Sequence, residues 1–248
     1  MGHGGALQRG YDGGVTETLS AVLWDMDGTV VDTEPYWMAA ETALIASYGG
    51  TWSHEQALEL VGSGLESSAE ILQAAGVRMD TFAIIDHLTD EVRRMLATEG
   101  VPFRPGAREL LRELKAAGVP TALVTMSMRR MADDIASLID FDAFDLVIGG
   151  DEVARPKPFP DPYLQAAAAL GVDIADTVAL EDSPTGLRSA FSSGAITIGV
   201  PHIVELDPTS AHQLWPSLAG RTLADLNTVF AEHRLSPSAI STTTGDLA

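Results

Sequence analysis

Short apolar runs alternate with helical patterns through the second half of the chain, and this alternation is the main indication of its fold. The runs suited to strands are Thr121–Thr125, Leu146–Gly149, Thr177–Leu180 and Ala195–Val200. The segments with helical apolar spacing are Ala107–Ala117, Arg129–Leu138, Asp161–Leu170 and Thr185–Ser193. In the third of these, Asp161 suits an N-cap because Pro162 follows it. Strand–helix–strand alternation predicts parallel strands joined by right-handed crossovers.

The first half of the chain contains one strand candidate and then departs from this alternation. Ala21–Trp24 is an apolar run suited to a buried strand. The helical patterns that follow it without an intervening strand are Tyr36–Ala46, Ser53–Val61, Leu65–Ala75 and Thr81–Thr98. Ser53 and Gln56 have the spacing of a capping box at the start of the second pattern. We therefore predict an α/β fold with a helical insert between its first strand and the rest of the sheet.

The predicted boundaries follow from these patterns and from composition. We expect a core of residues 19–35 and 104–235, an inserted helical cap of residues 36–103, and a return to the core at Arg104-Pro105-Gly106. The Gly, Ser and Thr content of residues 1–18 and 236–248 is typical of flexible tails.

Charge and cysteine content exclude several classes of function. The chain has 248 residues with 35 acids and 15 bases, and its formal net charge is −20. This charge argues against nucleic acid and anionic membranes as partners. The absence of cysteine excludes disulfides, thiol nucleophiles and cysteine-ligated zinc. The N-terminal stretch lacks the pattern of a secretory signal, and no apolar run is long enough to span a bilayer. We therefore expect a cytoplasmic location.

Polar residues follow the predicted strands, at the sheet edge where parallel α/β proteins bind ligands. They are Asp25 and Asp27 after the first strand, Thr125 and Ser127 after the second, Asp151 and Lys157 after the third, and Glu181, Asp182 and Ser183 after the fourth. Two like charges ~4 Å apart repel by roughly 4 kcal/mol at an effective dielectric constant of about 20. The converging acids therefore need a cation or a loss of ionisation, and carboxylate oxygens are the ligands that Mg²⁺ prefers.

This set of groups suits phosphoryl transfer. Mg²⁺, the Lys157 ammonium and hydroxyl donors could together hold a bound phosphate. Asp25 could then attack phosphorus as a carboxylate nucleophile. Asp27, with its side chain free of the metal, could protonate the leaving oxygen and later deprotonate a water molecule. Most of the rate enhancement would come from positioning and charge neutralisation.

Four motifs in chain order resemble those of the haloacid dehalogenase superfamily, in its phosphotransferase branch. The motifs are Asp25-Met26-Asp27-Gly28-Thr29-Val30-Val31-Asp32-Thr33-Glu34, Leu123-Val124-Thr125, Arg155-Pro156-Lys157-Pro158 and Leu180-Glu181-Asp182-Ser183-Pro184-Thr185-Gly186. The resemblance covers about residues 20–200. It implies a Rossmann-like core, and the position of the insert implies a helical cap of the β-phosphoglucomutase-like subgroup.

The resemblance also implies roles for the motif residues. It places Asp25, Asp27, Thr125 and Lys157 in catalysis, with Thr125 and Lys157 on the phosphate. It places Mg²⁺ at Asp25, Asp27, Glu181 and Asp182. The Val61-Gly62-Ser63-Gly64 stretch resembles the substrate-facing loop of the cap, so Gly62 and Ser63 are expected substrate contacts, together with Trp37, Met126 and Ser127.

Structural explanations compete with these assignments. Asp25 and Asp27 could be turn or capping acids, but acids, hydroxyls and a lysine at the other strand ends favour catalysis. Asp32 and Glu34 are assigned to the turn and to the start of the next helix, where negative charge is favourable. The chain has two lysines, Lys115 and Lys157, and the second lies in a proline-rich segment that stiffens its backbone. The histidines show no ligand spacing and are assigned to the surface or to packing.

The cap distinguishes members of the subgroup. Mutases tend to carry an arginine soon after the cap loop, a cap lysine, and a histidine where this chain has Trp37. Here Leu65-Glu66 follows the loop and residues 36–103 contain no lysine. The hypothesis is a Mg²⁺-dependent phosphatase of small phosphate monoesters, such as hexose or hexitol phosphates. The alternatives are a β-phosphoglucomutase-type phosphotransferase and a non-catalytic ligand-binding member. The expected partner is a small phosphorylated metabolite, and no sequence feature determines the oligomeric state, so a monomer is compatible.

Overall fold

A parallel six-stranded sheet forms the centre of the molecule. A computed structural model describes residues 18–234. The strands are β1 (Ala21–Trp24), β2 (Thr121–Val124), β3 (Leu146–Ile148), β4 (Thr177–Glu181), β5 (Ile196–Gly199) and β6 (Gln213–Leu214). Their order across the sheet is β3-β2-β1-β4-β5-β6, and every pairing is parallel. β1 is central, because Leu23 is in register with Ala122 of β2 and with Ala179 of β4.

Helices cover both faces of the sheet, which explains why the residues of its inner strands are buried throughout. The helices of the core are α5 (Ala107–Ala116), α6 (Arg129–Ser137), α7 (Asp161–Leu170), α8 (Pro184–Ser193) and α9 (Leu223–Arg234). On one face, Leu23 packs in a cluster with Tyr163 of α7 and Ala190 of α8. On the other face, Trp24 belongs to a larger cluster with Leu110 of α5 and Phe230 of α9.

Four helices between β1 and α5 form the cap. They are α1 (Glu34–Ser47), α2 (His54–Leu58), α3 (Leu65–Ala74) and α4 (Thr81–Glu99). The Ser53–Gln56 capping box is present at the start of α2, as the sequence predicts. Leu44 of α1, Leu72 of α3 and Ile84 of α4 are buried in the cluster that also contains Trp24. The insert therefore folds as packed helices on the core, and the predicted fold class is confirmed.

The two linkers between core and cap run side by side. The backbone N–H of Asp32 donates to Pro102 O at 2.7 Å, and that of Arg104 donates to Val30 O at 2.9 Å. Val31 and Phe103 form an antiparallel bridge between them. The chain therefore leaves the core and returns to it at one place.

Three features differ from the sequence predictions or extend them. β6 and α9 were not among the predicted elements. Asp161 is the first residue of α7 and not its N-cap, because its carboxylate pairs with Arg155 at 2.8 Å instead of accepting from the backbone. The predicted tails, residues 1–18 and 236–248, lie outside the described residues except for Thr18. Within residues 18–234, no helix combines the length and apolar character needed to cross a bilayer.

Candidate active site

Asp25 lies at the carboxyl end of β1, where the sheet opens towards the cap. It is 7% exposed, and its backbone N–H donates to Leu180 O at 3.0 Å across the β1–β4 pair. Its Oδ1 accepts a hydrogen bond from Lys157 Nζ at 2.7 Å. Its Oδ2 is buried and has no partner among the described residues. Asp25 therefore presents one held and one free carboxylate oxygen.

The Lys157 ammonium donates hydrogen bonds to residues at the carboxyl ends of three strands, β1, β2 and β4. Besides Asp25 Oδ1, the ammonium donates to Glu181 Oε1 at 2.7 Å and to Val124 O at 2.9 Å. These three acceptors match the three donors of an ammonium group. The neighbouring acids raise the pKa of Lys157 against the opposing effect of its burial, so the group stays charged. A fixed positive charge therefore lies beside the proposed nucleophile.

The carboxylates of Asp25, Glu181 and Asp182 form one acidic group. Each offers an oxygen, and these atoms lie within 4.8 Å of one another. Burial raises the pKa of Asp25 to about 7, with Glu181 adding to the rise and Lys157 opposing it. Burial, with Asp25 and Glu181 nearby, raises the pKa of Asp182 well above its ordinary value. A single ammonium thus leaves this cluster short of positive charge.

The donor set fits a hard divalent cation, because its atoms are carboxylate oxygens and one of them, Asp25 Oδ2, lacks a partner. Glu181 Oε1 already accepts from Lys157 and from the Tyr163 hydroxyl, the latter at 2.5 Å. Glu181 thus anchors Lys157, while the Asp182 carboxylate has no such partner among residues 18–234.

Asp27 turns its carboxylate away from that acidic group. Its Oδ1 accepts from the Thr33 hydroxyl and from Trp37 Nε1 at 3.4 Å. Its Oδ2 accepts from the Ser127 hydroxyl at 2.7 Å and from the Thr125 hydroxyl at 3.3 Å. The Asp27 side chain is therefore held in one orientation by residues at the start of the cap helix α1 and by residues that directly follow β2.

Two glycines permit this close packing. Gly28 has φ of +86°, and a Cβ built on it would lie 1.9 Å from Asp182 Oδ2. A Cβ on Gly186 would lie 1.9 Å from Glu181 Oε2. Ser183 caps α8 by accepting from the Gly186 N–H at 3.0 Å. Glu181 and Asp182 are therefore packed between Gly28 of the first motif and the N-terminus of α8.

A cleft between core and cap opens onto these groups and encloses about 920 Å³, open solvent at its mouth included. The predicted residues that line it are Asp25, Asp27, Thr125, Lys157, Asp182, Trp37, Gly62, Ser63, Met126 and Ser127. Glu181 lies beneath the lining and is fully buried. Asp151 lies apart from the cluster, where it accepts from the Arg129 N–H at 2.7 Å.

Several residues that line the cleft were not predicted from the sequence. Glu34 begins α1 as expected, but it also lines the cleft, and burial among acids raises its pKa to about 8. Glu41, Ser68, Ile85 and Leu88 of the cap line it as well. The spacing of Glu34, Trp37 and Glu41, at i, i+3 and i+7, could have indicated that these residues share one face of α1.

A parallel sheet that brings acids together after two adjacent strands, beneath an inserted helical cap, defines a hydrolase of the haloacid dehalogenase type. The chain belongs to this family: the model described as "haloacid dehalogenase-like hydrolase" matches residues 19–194. The recognition made from the motifs and the prediction of an enzyme are thus confirmed.

Individual relatives are about a third identical to this chain over the aligned residues. It is 31% identical over 186 residues to a phosphorylated carbohydrates phosphatase of Thermotoga maritima, covering 74% of this chain and 86% of that protein. It is also 31% identical over 192 residues to a bifunctional riboflavin kinase/FMN phosphatase of Arabidopsis thaliana, covering 74% of this chain. The chain spans 49% of that longer relative.

A solved structure agrees with the fold. CbbY of Rhodobacter sphaeroides, crystallised as a variant in complex with xylulose-1,5-bisphosphate, superimposes with a TM-score of 0.77 at 29% identity. The match covers 85% of this chain and 100% of that one. The chain is thus close in structure to proteins of this family that bind phosphorylated sugars.

Proposed function

We propose that the protein is a Mg²⁺-dependent phosphatase that hydrolyses small phosphate monoesters, such as hexose or hexitol phosphates, through an aspartyl-phosphate. The observation that carries this proposal is the position of Asp25, which is buried beside Lys157 with one carboxylate oxygen free. The phosphatase named among the relatives supports the same class of substrate.

Asp25, Glu181 and Asp182 would hold the ion together with Asp27. Since the Asp27 carboxylate is engaged by Ser127 and Thr33, Asp27 can offer only its backbone carbonyl. When bound, Mg²⁺ would neutralise charge on the acids and on the transferring phosphoryl group. The Lys157 ammonium and the Thr125 hydroxyl would add donors to the phosphate oxygens.

Asp25 acts as the nucleophile. One of its oxygens attacks phosphorus while the bond from phosphorus to the ester oxygen breaks. Asp27, in its protonated form, gives its proton to that leaving oxygen, so a neutral alcohol departs. Asp27 then takes a proton from water, which attacks the phosphorus of the aspartyl-phosphate and releases inorganic phosphate and the free Asp25 carboxylate. The hydrogen bonds from Ser127 and Thr33 fix Asp27 for both proton transfers.

The cap excludes bulk water during these steps. It contributes Trp37 and Ser63 to the cleft, and the paired linkers at Val31 and Phe103 are the point about which it can move. We expect it to open for substrate and product and to close for the chemical steps.

A screen of phosphorylated metabolites with Mg²⁺ or with EDTA tests this function, with Asp25→Asn as the control. We expect phosphate release from hexose or hexitol phosphates that requires Mg²⁺ and is lost in Asp25→Asn. An Asp25→Asn protein as active as the wild type would refute the assigned nucleophile. Conversion of β-glucose 1-phosphate to glucose 6-phosphate with little free phosphate would indicate the mutase instead.

A non-catalytic role is tested more simply with p-nitrophenyl phosphate, which needs few contacts with the cap. Mg²⁺-dependent release of phosphate from it would exclude a purely ligand-binding protein. Binding of phosphorylated sugars without turnover of any ester would support one.

A further inference from the structure

The cap side of the cleft carries acids at a defined separation. Glu34, Trp37 and Glu41 line the cleft from α1. A rise of 1.5 Å per residue places Glu34 and Glu41 about 10 Å apart along the helix axis. The hydroxyl of Thr33, which directly precedes Glu34, donates to Asp27, so the N-terminus of α1 lies at the reacting end of the cleft. Glu41 therefore marks the end of the cleft that is remote from the reacting phosphate.

Glu41 is a buried acid whose hydrogen bonding is incomplete. It is 5% exposed, and its Oε2 has no hydrogen-bond partner within residues 18–234. The indole N–H of Trp52 is near enough to favour the charged form, but it makes no hydrogen bond of acceptable geometry. Burial outweighs that effect and raises the pKa of Glu41 to about 7. A ligand that brings a donor to this position would complete its hydrogen bonding.

The surroundings of Glu41 suit a carbon chain that carries hydroxyl groups. Leu60, Ile85 and Leu88 give the cap side apolar surface, and Ser63 and Ser68 add hydroxyls. Among the cleft-lining residues of the described chain, Lys157 is the single base, and it lies beneath Asp25. The remote end therefore offers hydrogen-bond acceptors and no charge that could neutralise an anion.

We propose that Glu41 determines specificity by accepting a hydrogen bond from a substrate hydroxyl remote from the phosphate, so that the site favours monophosphates of hydroxyl-rich chains and disfavours bisphosphates. This inference rests on the proposed function. A carboxyl group can accept such a bond in either protonation state. A second phosphate at this end would instead be desolvated with no base to pair with it, and an unpaired charge of this kind gives specificity by exclusion.

This preference separates the protein from its structural relative. The CbbY structure contains a sugar bisphosphate. If the arrangement of charge in the present cleft controls selection, the two proteins differ in whether they accept a second phosphate, although their folds superimpose.

Steady-state kinetics of the full-length protein with Mg²⁺ test the role of Glu41. The substrates are sorbitol 6-phosphate, glycerol 3-phosphate, whose chain is three carbons shorter, and p-nitrophenyl phosphate, which carries no hydroxyl chain. Glu41→Met removes the acceptor at similar side-chain length, Glu41→Gln retains an acceptor, and Glu66→Gln on the exposed face of the cap is the matched control. We expect Glu41→Met to lower kcat/KM for sorbitol 6-phosphate at least tenfold, to leave the other two substrates within twofold, and Glu41→Gln to restore most of the loss.

Two comparisons with the wild type need no variant and remain informative if Glu41→Met does not fold. Sorbitol 6-phosphate should be preferred at least tenfold over hexyl phosphate, which has the same chain without hydroxyls. Fructose 6-phosphate should be preferred at least tenfold over fructose 1,6-bisphosphate.

The outcomes separate the two proposals. Absence of Mg²⁺-dependent hydrolysis of every ester, p-nitrophenyl phosphate included, would contradict the proposed function. Three results would overturn the role of Glu41 alone. They are hydrolysis with no preference for hydroxylated chains, an equal loss of kcat/KM on all substrates in Glu41→Met, and a preference for the bisphosphate.

Discussion

Lys157 Nζ lies 2.7 Å from Asp25 Oδ1, and both groups are buried. Asp25 directly follows β1, whereas Lys157 lies in the segment between β3 and α7. The same ammonium lies 2.7 Å from Glu181 Oε1. The chain has only one further lysine, Lys115. The positive charge next to the proposed nucleophile therefore comes from a residue type that is rare in this sequence.

Lys157→Arg should inactivate the enzyme even though it preserves charge. The ammonium is 4% exposed and makes three short hydrogen bonds, whereas a guanidinium is larger and presents its donors in a planar fork. We expect kcat to fall by about 10²–10³, as for loss of one preorganised donor. Lys115→Arg is the control, because Lys115 pairs with Asp145 on the surface. A Lys157→Arg enzyme with normal kcat would show that the compact charge is not required.

Asp27→Asn should distinguish substrates by their leaving groups. It removes the proton that the proposed mechanism gives to the departing alcohol. The amide oxygen can still accept from one of the Ser127 and Thr33 hydroxyls, and the amide NH2 can donate to the oxygen of the other. Loss of general acid catalysis should lower kcat for a hexitol phosphate by about 10²–10⁴. The loss should be much smaller for p-nitrophenyl phosphate, whose leaving group is stable as an anion. Equal losses on both esters would argue for a purely positional role of Asp27.

Gly28→Ala should weaken cation binding through Asp182. At φ of +86° the new Cβ would collide with Asp182 Oδ2, which must then move. Gly49→Ala is a matched control, because Gly49 has φ of +80° and no atom within 4 Å of the built Cβ. Both variants carry the strain of positive φ, but only Gly28→Ala should raise the Mg²⁺ concentration needed for half-maximal activity. Activity titrations with Mg²⁺ measure this, and identical midpoints would contradict the placement of Asp182 at the metal.

The charge pairs between cap and core should stabilise the closed cap. Arg93 Nε lies 2.5 Å from Asp134 Oδ2, and Arg130 Nη2 lies 2.9 Å from Asp86 Oδ1, so that α4 of the cap is joined to α6 of the core. Exposed pairs contribute about 0.2–1 kcal/mol each. The double variant Arg93→Met, Arg130→Met should therefore raise KM by about two- to tenfold and reduce the dependence of KM on salt.

A charge pair within the core provides the control for the cap variants. Arg234 Nε lies 3.0 Å from Asp176 Oδ1, and both residues are about a third exposed, as Arg93 is. Arg234→Met should change thermal stability slightly and leave KM unchanged. Small-angle scattering should show a more open average shape for the double cap variant than for Arg234→Met, and equal profiles would argue against a role of these pairs in closure.

The stability of the metal-free protein should fall as pH rises, in part because of Glu41. Burial raises its pKa from 4.5 to about 7, so the neutral form is favoured in the folded state. That advantage is complete below pH 4.5 and is lost as pH rises through 7. Glu41→Gln stays neutral throughout. It should be more stable than the wild type at pH 8, by at most roughly 3 kcal/mol, and equally stable at pH 4.5. Urea unfolding with EDTA across this range measures the difference, and parallel pH profiles would refute it.

The sheet and the core of the site could be predicted because their signals are local. Buried strands appear as short apolar runs, and the polar residues that follow them meet at one edge, as Asp25, Thr125 and Lys157 do. The two-residue strand β6 gives too short a pattern to recognise. Glu41 was missed because the face of α1 that contains it also buries Leu44 and Ile45, so apolar spacing alone assigns that face to packing. The hydrogen bond from Tyr163 to Glu181 joins residues of different elements and has no sequence signature.

The paired linkers have a consequence for how such a fold can change. Backbone hydrogen bonds from Asp32 to Pro102 and from Arg104 to Val30 join the two linkers. The cap between them therefore begins and ends at one place, and the positions of its two ends need not change when its sequence or length changes. Loop closure depends only weakly on the length of a branch whose ends already meet. A shorter or longer segment could therefore be exchanged at this junction without disturbing the catalytic carboxylates, and chimaeras that keep residues 18–32 and 104–234 should inherit chemistry from one parent and selectivity from the other.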